Sequence, residues 1–286
     1  MWVGFHIVSR LSTAQSMTAW DVAALRFVGA FLTVLPFALW RGPPRIAPGR
    51  ALGVLLFAGF GFPLCAFAGY QLAPAAHGAT VMAAGLPVGT ALLGVAFGVA
   101  RIDGRRALSL AVVVAGSVLL AAATGGGAWE GAWKGDLLFL AAVLSWSAYT
   151  IMVQRWRLPA LDSMLAIGLM AAPAYLPVWW LALPSTIGQA APAAALFQAV
   201  FQGAFAAVLA GLLYTKAVTL IGPGPTTMVG AAVPALSALA AWPLLGEALP
   251  PLGLLAVLLV SAGMALGVAA PTPAAAGRVD PPVPRT

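Results

Sequence analysis

The chain has 286 residues, of which 62% are hydrophobic and only 7% charged, and its formal net charge is +7. A soluble domain carries about 25% charged residues, so this sequence cannot cover a water-soluble surface and predicts an all-α integral membrane protein. The basic residues lie between apolar runs, which marks membrane topology and excludes a nucleic-acid-binding surface.

The chain opens on a short apolar stretch, MWVGFHIVSRL, in which Ser9 and Arg10 follow the apolar residues almost at once. A helix of that length reaches roughly 13 Å, less than half of a bilayer core of ~30 Å. The stretch has no basic n-region and no A-x-A cleavage site, so it is a poor signal peptide. Its role has to be inferred from the rest of the chain.

Nine further apolar runs are long enough to span a bilayer as helices. They cover approximately residues 21–40, 51–72, 77–99, 106–123, 135–154, 162–183, 194–216, 224–245 and 251–269. With the opening stretch they give ten helices. The Pro/Ala-rich tail over 271–286 predicts a disordered cytoplasmic segment.

Lysine and arginine fall mainly on one side when successive spans alternate in direction. Eleven of the fourteen lie on that side, Arg10 and Lys134 lie on the other, and Arg26 lies within a span. The positive-inside rule places the larger group and the C-terminus in the cytoplasm.

Features recur at matched spacings in the two halves of the chain. Pro87 precedes Gly116 by 29 residues, and Pro234 precedes Gly263 by the same distance. Asp21 precedes Pro36 by 15 residues, as Asp162 precedes Pro177. Tyr70 and Tyr214 lie near the ends of spans 3 and 8. An odd number of spans per copy orients the copies oppositely, which is typical of secondary transporters. We expect one five-helix repeat over 1–123, a periplasmic linker over 124–134 and a second repeat over 135–270.

The tryptophan–aromatic–isoleucine pattern of the opening stretch recurs in span 6. Its members are Trp2, Phe5 and Ile7 and, at equal spacing, Trp146, Tyr149 and Ile151. In span 6 the residues DLLFLAAVLS precede the pattern, whereas the first copy has nothing there. We therefore expect the opening stretch to be the outer half of helix 1, truncated at its N-terminus, with the true start codon upstream or the chain shortened.

The W-x-G start and three longer segments resemble a known family. The segments are TAWDVAALRFVGAFLTVLP, GDLLFLAAVLSWSAYTIMVQR and VPALSALAAWPLLGEALPPLGLLAVLLVSAGMAL. Over essentially residues 1–270 the chain resembles the EamA-type transporters of the drug/metabolite transporter (DMT) superfamily. The resemblance implies a ten-helix carrier of small metabolites in the bacterial inner membrane, commonly an exporter of amino acids or related compounds. One departure is that Val99 and Ala100 stand where the second half has Gly246 and Glu247.

Arg26 is the sharpest functional signal, because a guanidinium within an apolar span costs at least ~2.5–3.5 kcal/mol unless it snorkels or pairs. Asp21 lies five residues away, toward the outer end of the span. Two interpretations stay open: a snorkelling or paired structural arginine, and an anion-binding charge at the outer mouth of a transport pathway.

Four aromatic residues are predicted to bind substrate. Trp146 and Tyr149 lie about eleven to fourteen residues into span 6, near mid-membrane, where interfacial anchoring does not explain them. Tyr70 and Tyr214 hold equivalent places in the two halves. We expect these side chains to line a cavity formed by spans 1, 3, 4, 6, 8 and 9, which favours neutral or amphiphilic solutes.

Polar residues within the spans add further candidates. Gln198 and Gln202 share one face of span 8, which either lines the cavity or makes a helix–helix hydrogen bond. His6, one turn past the tryptophan of helix 1, is a substrate-binding candidate or a hydrogen-bonded interface histidine.

Helix breaks and coupling residues are predicted at four positions. Pro87 and Pro234 each fall near the middle of a span, where proline frees a carbonyl and kinks a helix, so they are candidate hinges. Glu247 is either a turn carboxylate that caps span 10 or a proton-coupling group. His77, at the outer entrance to span 4, is either a hydrogen-bonded helix-end or interface histidine or a coupling group that titrates near physiological pH.

No enzymatic or metal-binding constellation is present in the sequence, so we expect no catalytic residues, no metal site and no cofactor. The expected partners are a small-molecule substrate and the lipid bilayer, with a homodimer left open and no nucleic acid. An intramembrane lipid-modifying enzyme and a non-transporting membrane scaffold or sensor are the alternatives to a transporter.

Overall fold

The computed structural model describes residues 2–124, 131–230, 233, 236 and 250–268. Within these residues the chain forms helices and no β-strand, which confirms the all-α prediction. Pro234 and Glu247 lie outside the described residues.

The helices follow the predicted apolar runs. They are α1 (Trp2–Ala14), α2 (Ala19–Arg41), α3 (Pro48–Leu72), α4 (Ala75–Ala96), α5 (Gly104–Thr124), α6 (Ala132–Trp156), α7 (Ala160–Ala182), α8 (Pro192–Ile221), α9 (Pro223–Val229) and α10 (Pro251–Val268). Six of these, α2, α3, α4, α6, α7 and α8, are long and apolar enough to cross a membrane, and α10 is a shorter apolar helix. Span 8 runs to Ile221, beyond its predicted end at 216, and most of the predicted span over 224–245 lies outside the described residues.

Both α3 and α8 contain a π-helical stretch that no sequence pattern indicated. The stretches are Leu55–Gly61 and Ala199–Leu209. They begin 144 residues apart, which is also the offset between Tyr70 and Tyr214. π-Helical turns are rare and occur frequently at functional sites, so the two halves repeat an uncommon backbone geometry and not only a helix pattern.

Asp21 joins the start of α2 to the loop after α7. It forms a capping box with Thr18, and its carboxylate accepts hydrogen bonds from Ser185 Oγ (2.6 Å), Thr186 N (3.0 Å) and Trp179 Nε1 (3.1 Å). The Asp21 side chain is fully buried, and every one of these donors is neutral. We call this set of contacts the Asp21 clasp.

Asp162 makes the corresponding junction between the start of α7 and the end of α2. Its carboxylate pairs with Arg41 Nη1 at 2.9 Å and accepts from Arg45 N at 3.1 Å. Arg45 precedes Thr186 by 141 residues, the same offset that separates Asp21 from Asp162. This Asp162 clasp therefore repeats the Asp21 clasp at the opposite ends of α2 and α7, so these two helices lie antiparallel.

The last helices of the two halves, α5 and α10, pack closely through small residues. A Cβ atom on Gly116 would lie 2.9 Å from Val260 N, and one on Gly263 would lie 2.9 Å from Val113 N. Ser109 Oγ donates to the Gly263 carbonyl at 2.6 Å. Such close backbone approach is how membrane helices gain contact without a hydrophobic driving force.

Candidate substrate site

An aromatic cluster occupies the middle of the helix bundle. Its members are Trp2, Phe5, Phe62, Trp146, Tyr149 and Tyr214. The ring of Trp146 is the centre, with Phe62 at 4.8 Å and Tyr149 and Tyr214 both at 5.2 Å between centroids. Helices α1, α3, α6 and α8 supply these rings, so both halves of the chain build the cluster.

Each half ties its tyrosine to its first helix by an equivalent hydrogen bond. In the first half the Tyr70 hydroxyl bonds His6 Nδ1, and in the second the Tyr214 hydroxyl bonds Thr150 Oγ1 at 2.8 Å. Both pairs are separated by 64 residues. Thr150 Oγ1 also donates to the Trp146 carbonyl at 2.8 Å, whereas His6 Nε2 is buried without a hydrogen-bond partner among the described residues.

Arg26 lies inside the bundle, where only 5% of its surface is exposed. Its Nη1 donates to the Gln202 carbonyl at 3.1 Å, within the π-helical stretch of α8, and its guanidinium lies 5.9 Å from the Phe5 ring centre. The buried position does not fit a snorkelling arginine, and the Asp21 carboxylate instead accepts the hydrogen bonds of its clasp, so within the protein Arg26 pairs with the Gln202 carbonyl. Arg26 was expected at the outer mouth of a transport pathway, whereas the structure has it in the interior of the helix bundle.

Three cavities meet at these side chains. The largest has a volume of about 400 Å³ and is lined mainly by apolar residues of α4, α8 and α9, together with Trp2 and Tyr214. A second, of about 20 Å³, shares Trp2 and Ala210 with it. A third, also of about 20 Å³, shares Arg26 and Trp146 with the second, so the three form a series.

The two small cavities each have room for about one water molecule. The second is lined by Trp2, Phe5, His6, Arg26, Phe62, Met82, Trp146, Ala206, Ala210 and Gly211. The third is lined by Arg26, Phe27, Ala30, Ala58, Gly59, Trp146, Met164, Ile167, Ala171 and Ala207. The geometry therefore brings His6, Arg26, Trp146 and Tyr214 to one series of cavities.

Gln198 and Gln202 face α1 and line none of these three cavities. Gln198 Nε2 donates to the Val8 carbonyl at 3.0 Å and to Gln15 Oε1 at 2.9 Å, and Gln202 Nε2 donates to Ser9 Oγ at 3.1 Å. Of the two interpretations of this face of α8, the structure shows the helix–helix hydrogen bond, which joins α8 to α1. The two glutamines bond in this way because polar groups of α1, the Val8 carbonyl and Ser9 Oγ, face that side of α8.

Tyr70 and Tyr149 are fully buried behind the cavities rather than in their walls. Tyr149 OH lies 2.6 Å from Thr215 Oγ1 on α8. Both tyrosines position neighbouring side chains in this conformation.

His77 and Pro87 lie on α4 and line none of the three cavities. His77 Nδ1 is 3.0 Å from the Asp136 carboxylate of α6. The helix break expected at Pro87 is absent, since α4 is helical on both sides of it. Gly85 and Gly89 let α4 lie against Val143 and Ser147 of α6, and this packing holds the helix across the hydrogen bond that proline cannot make.

The sequence did not predict some of the residues that line the cavities. It also did not predict that α2 and α7 would contribute to the cavity walls, as they do in the third cavity. Phe62, Met82 and Ala206 all line the second cavity. Phe62 and Ala206 are 144 residues apart, so the repeat offset contained a signal for them. Met82 carried no such signal.

Comparisons with known proteins agree with this architecture. The sequence model of the EamA-like transporter family matches residues 1–122 and 133–268. A solved structure, described as the crystal structure of a protein, is 23% identical and superposes with a TM-score of 0.65, covering 92% of this chain and 94% of that chain. This likeness shows a shared fold. The comparison with curated proteins gives no match.

Proposed function

This chain belongs to the EamA-like transporter family, and from that premise we propose that it is a secondary transporter that exports a small metabolite, such as an amino acid or an amphiphilic compound. Members of the family are transporters and not enzymes, and the chain is a multi-pass membrane protein. The resemblance noted in the sequence is thereby confirmed.

The observation that carries the proposal is the series of cavities at the meeting of the two halves. Trp146 of the second half and Arg26 of the first stand between the second and third cavities, and Trp2 stands between the first and second. Small rotations of these side chains would join the cavities. A site that is closed by a few side chains in the middle of a membrane is what alternating access requires.

Two inverted five-helix repeats, ten helices in all, form the proposed moving parts. Three features support this arrangement: the antiparallel α2 and α7 with matched clasps, the π-helical stretches at the same offset, and the equivalent tyrosine bonds. We place the chain in a bacterial inner membrane with its C-terminus in the cytoplasm, because eleven of its fourteen basic residues fall on that side.

Flux through proteoliposomes tests the proposal. Vesicles containing the purified protein are loaded with a labelled mixture of amino acids and amphiphilic metabolites, and release is followed by mass spectrometry. We expect at least one compound to leave faster than from protein-free vesicles. Trp146→Ala is expected to slow that release at least about tenfold, because a buried aromatic wall of the site is removed.

Trp180→Ala is the matched control, since Trp180 is 78% exposed on the outside of α7 and its loss should leave release unchanged. Release of no compound by the wild-type protein would overturn the proposal.

A further inference from the structure

We propose that Arg26 and His6 form the head-group site for an organic monocarboxylate, with Trp146 and Phe62 beside its apolar body. This inference rests on the proposed transport function, because it names the class of solute that the same cavities take. Four observations on these side chains carry it.

The first observation is the unbalanced charge of Arg26. A guanidinium has five N–H donors. Among the residues that the structure describes, this one makes a single hydrogen bond, to the Gln202 carbonyl, and lies over the face of Phe5. No carboxylate of the described residues forms an ion pair with it. A buried charge without a counter-ion is costly, so a bound anion would supply what the protein does not.

The second observation is the free nitrogen of His6. Where the Tyr70 hydroxyl donates to Nδ1, the neutral imidazole carries its proton on Nε2. That Nε2 is buried and has no partner among the described residues, and His6 lines the same cavity as Arg26. A carboxylate has two oxygens, one for the guanidinium fork and one for this N–H.

The third observation is the count of charges around the cavity. Among the described residues that line the second and third cavities, Arg26 is the one that carries a formal charge. The single positive charge matches a monoanion, and the buried N–H groups of His6 and Trp146 add only neutral donors. A doubly charged phosphate would be left with uncompensated charge in a low-dielectric site.

The fourth observation concerns size. The second cavity holds only about 20 Å³, whereas the first has about 400 Å³ and lies just beyond Trp2. Ligand pockets for small organic molecules have volumes of about 300 to 1,000 Å³. Movement of the Trp2 ring away from Tyr214 would join the two, so that the carboxylate reaches Arg26 while the apolar body extends past Trp146 into the first cavity.

Binding of three isosteric probes to the detergent-purified protein tests the proposal. The probes are 3-phenylpropionate, its neutral amide, and 3-phenylpropylamine, followed by tryptophan fluorescence and by calorimetry. We expect the carboxylate to bind and the amide and the amine to bind at least about tenfold more weakly, because only the carboxylate balances the guanidinium. Equal affinity for carboxylate and amide, or no carboxylate binding at millimolar concentration, would overturn the proposal.

Variants locate the site. Arg26→Gln is expected to weaken carboxylate binding at least about tenfold, and Arg26→Lys to recover only part of it, because an ammonium lacks the planar fork. His6→Thr, which installs the residue found at the equivalent place in the second half, should weaken the carboxylate about threefold or more and leave the amide unaffected. Arg155→Gln, at an exposed arginine, is the control and should bind like wild type.

His6→Thr keeps the test decisive if Arg26→Gln does not fold, since its hydroxyl can retain the Tyr70 bond. Unchanged carboxylate affinity in a folded Arg26→Gln, or in His6→Thr, would contradict the site. The same proteoliposomes separate the two proposals. Flux of neutral or cationic solutes alone would support transport and overturn the carboxylate site. Arg26-dependent carboxylate binding without flux of any solute would support the carboxylate site and overturn transport.

Discussion

The two copies of the repeat unit make one corresponding contact in different ways. In the contact between α2 and α8 the backbones touch: a Cβ atom on Gly203 would lie 2.5 Å from Gly29 Cα. Gly59, the counterpart of Gly203 at an offset of 144, instead faces side chains, with Ile167 Cγ2 at 3.4 Å from its added Cβ. The α3–α7 contact is therefore looser than the α2–α8 contact.

The looser contact is where room for a site appears. Gly59 and Ile167 both line the third cavity, beside Arg26 and Trp146. Membrane helices attract each other mainly through close packing, so a contact made by side chains leaves space that a contact made by backbones cannot. The repeat thus sets the path of the helices, and small residues placed unequally in the two copies decide where the bundle is hollow.

The largest expected effect comes from filling the backbone contact. Gly203→Ala should lower the free energy of unfolding by about 3 kcal/mol or more, because its methyl group would meet the α2 backbone, which cannot move aside. Gly59→Ala should cost about 1 kcal/mol or less, since the atoms it meets belong to flexible Leu55 and Ile167 side chains. Thermal unfolding in detergent measures both. Equal losses would show that the two contacts are equally tight.

The two clasps predict the next largest difference. Asp21→Ala should cost about 2–3 kcal/mol, because it removes the buried acceptor of several part-buried donors from the end of α7 and the α7–α8 loop. Asp162→Ala should cost about 1 kcal/mol, because its partner Arg41 is 30% exposed and can turn to water. Unfolding in low and high salt sharpens the comparison: salt should weaken only the wild-type Asp162 clasp, so the Asp162→Ala penalty should shrink while the Asp21→Ala penalty does not.

The tyrosine bonds give the smallest effects. Tyr70→Phe should cost about 1–2 kcal/mol, since it leaves both nitrogens of buried His6 without a partner. Tyr214→Phe should cost about 0.5 kcal/mol, because the Thr150 hydroxyl keeps its bond to the Trp146 carbonyl. The same unfolding assay separates them, and a larger loss for Tyr214→Phe would contradict the stated hydrogen-bond pattern.

The sequence predicted the positions of the described spans because a bilayer demands long apolar runs whatever their partners are. It also predicted the equivalence of Tyr70 and Tyr214, which the structure shows as matched hydrogen bonds. The partner of Arg26 could not be predicted, because a backbone carbonyl leaves no trace in residue types. Gln198 and Gln202 show a related limit: spacing places both on one face of a helix, but it does not say which neighbour that face meets.

The bond between Arg26 and the Gln202 carbonyl also orders events during biosynthesis. The two residues are 176 positions apart, and at ~5–20 residues per second the ribosome needs roughly 10 to 35 s to make that length of chain. During this interval α2 carries its guanidinium without the acceptor that the folded protein provides, at a cost of several kcal/mol in hydrocarbon. The first half of the chain is therefore incomplete until α8 arrives, and assembly of the nascent protein in the membrane depends on its last third.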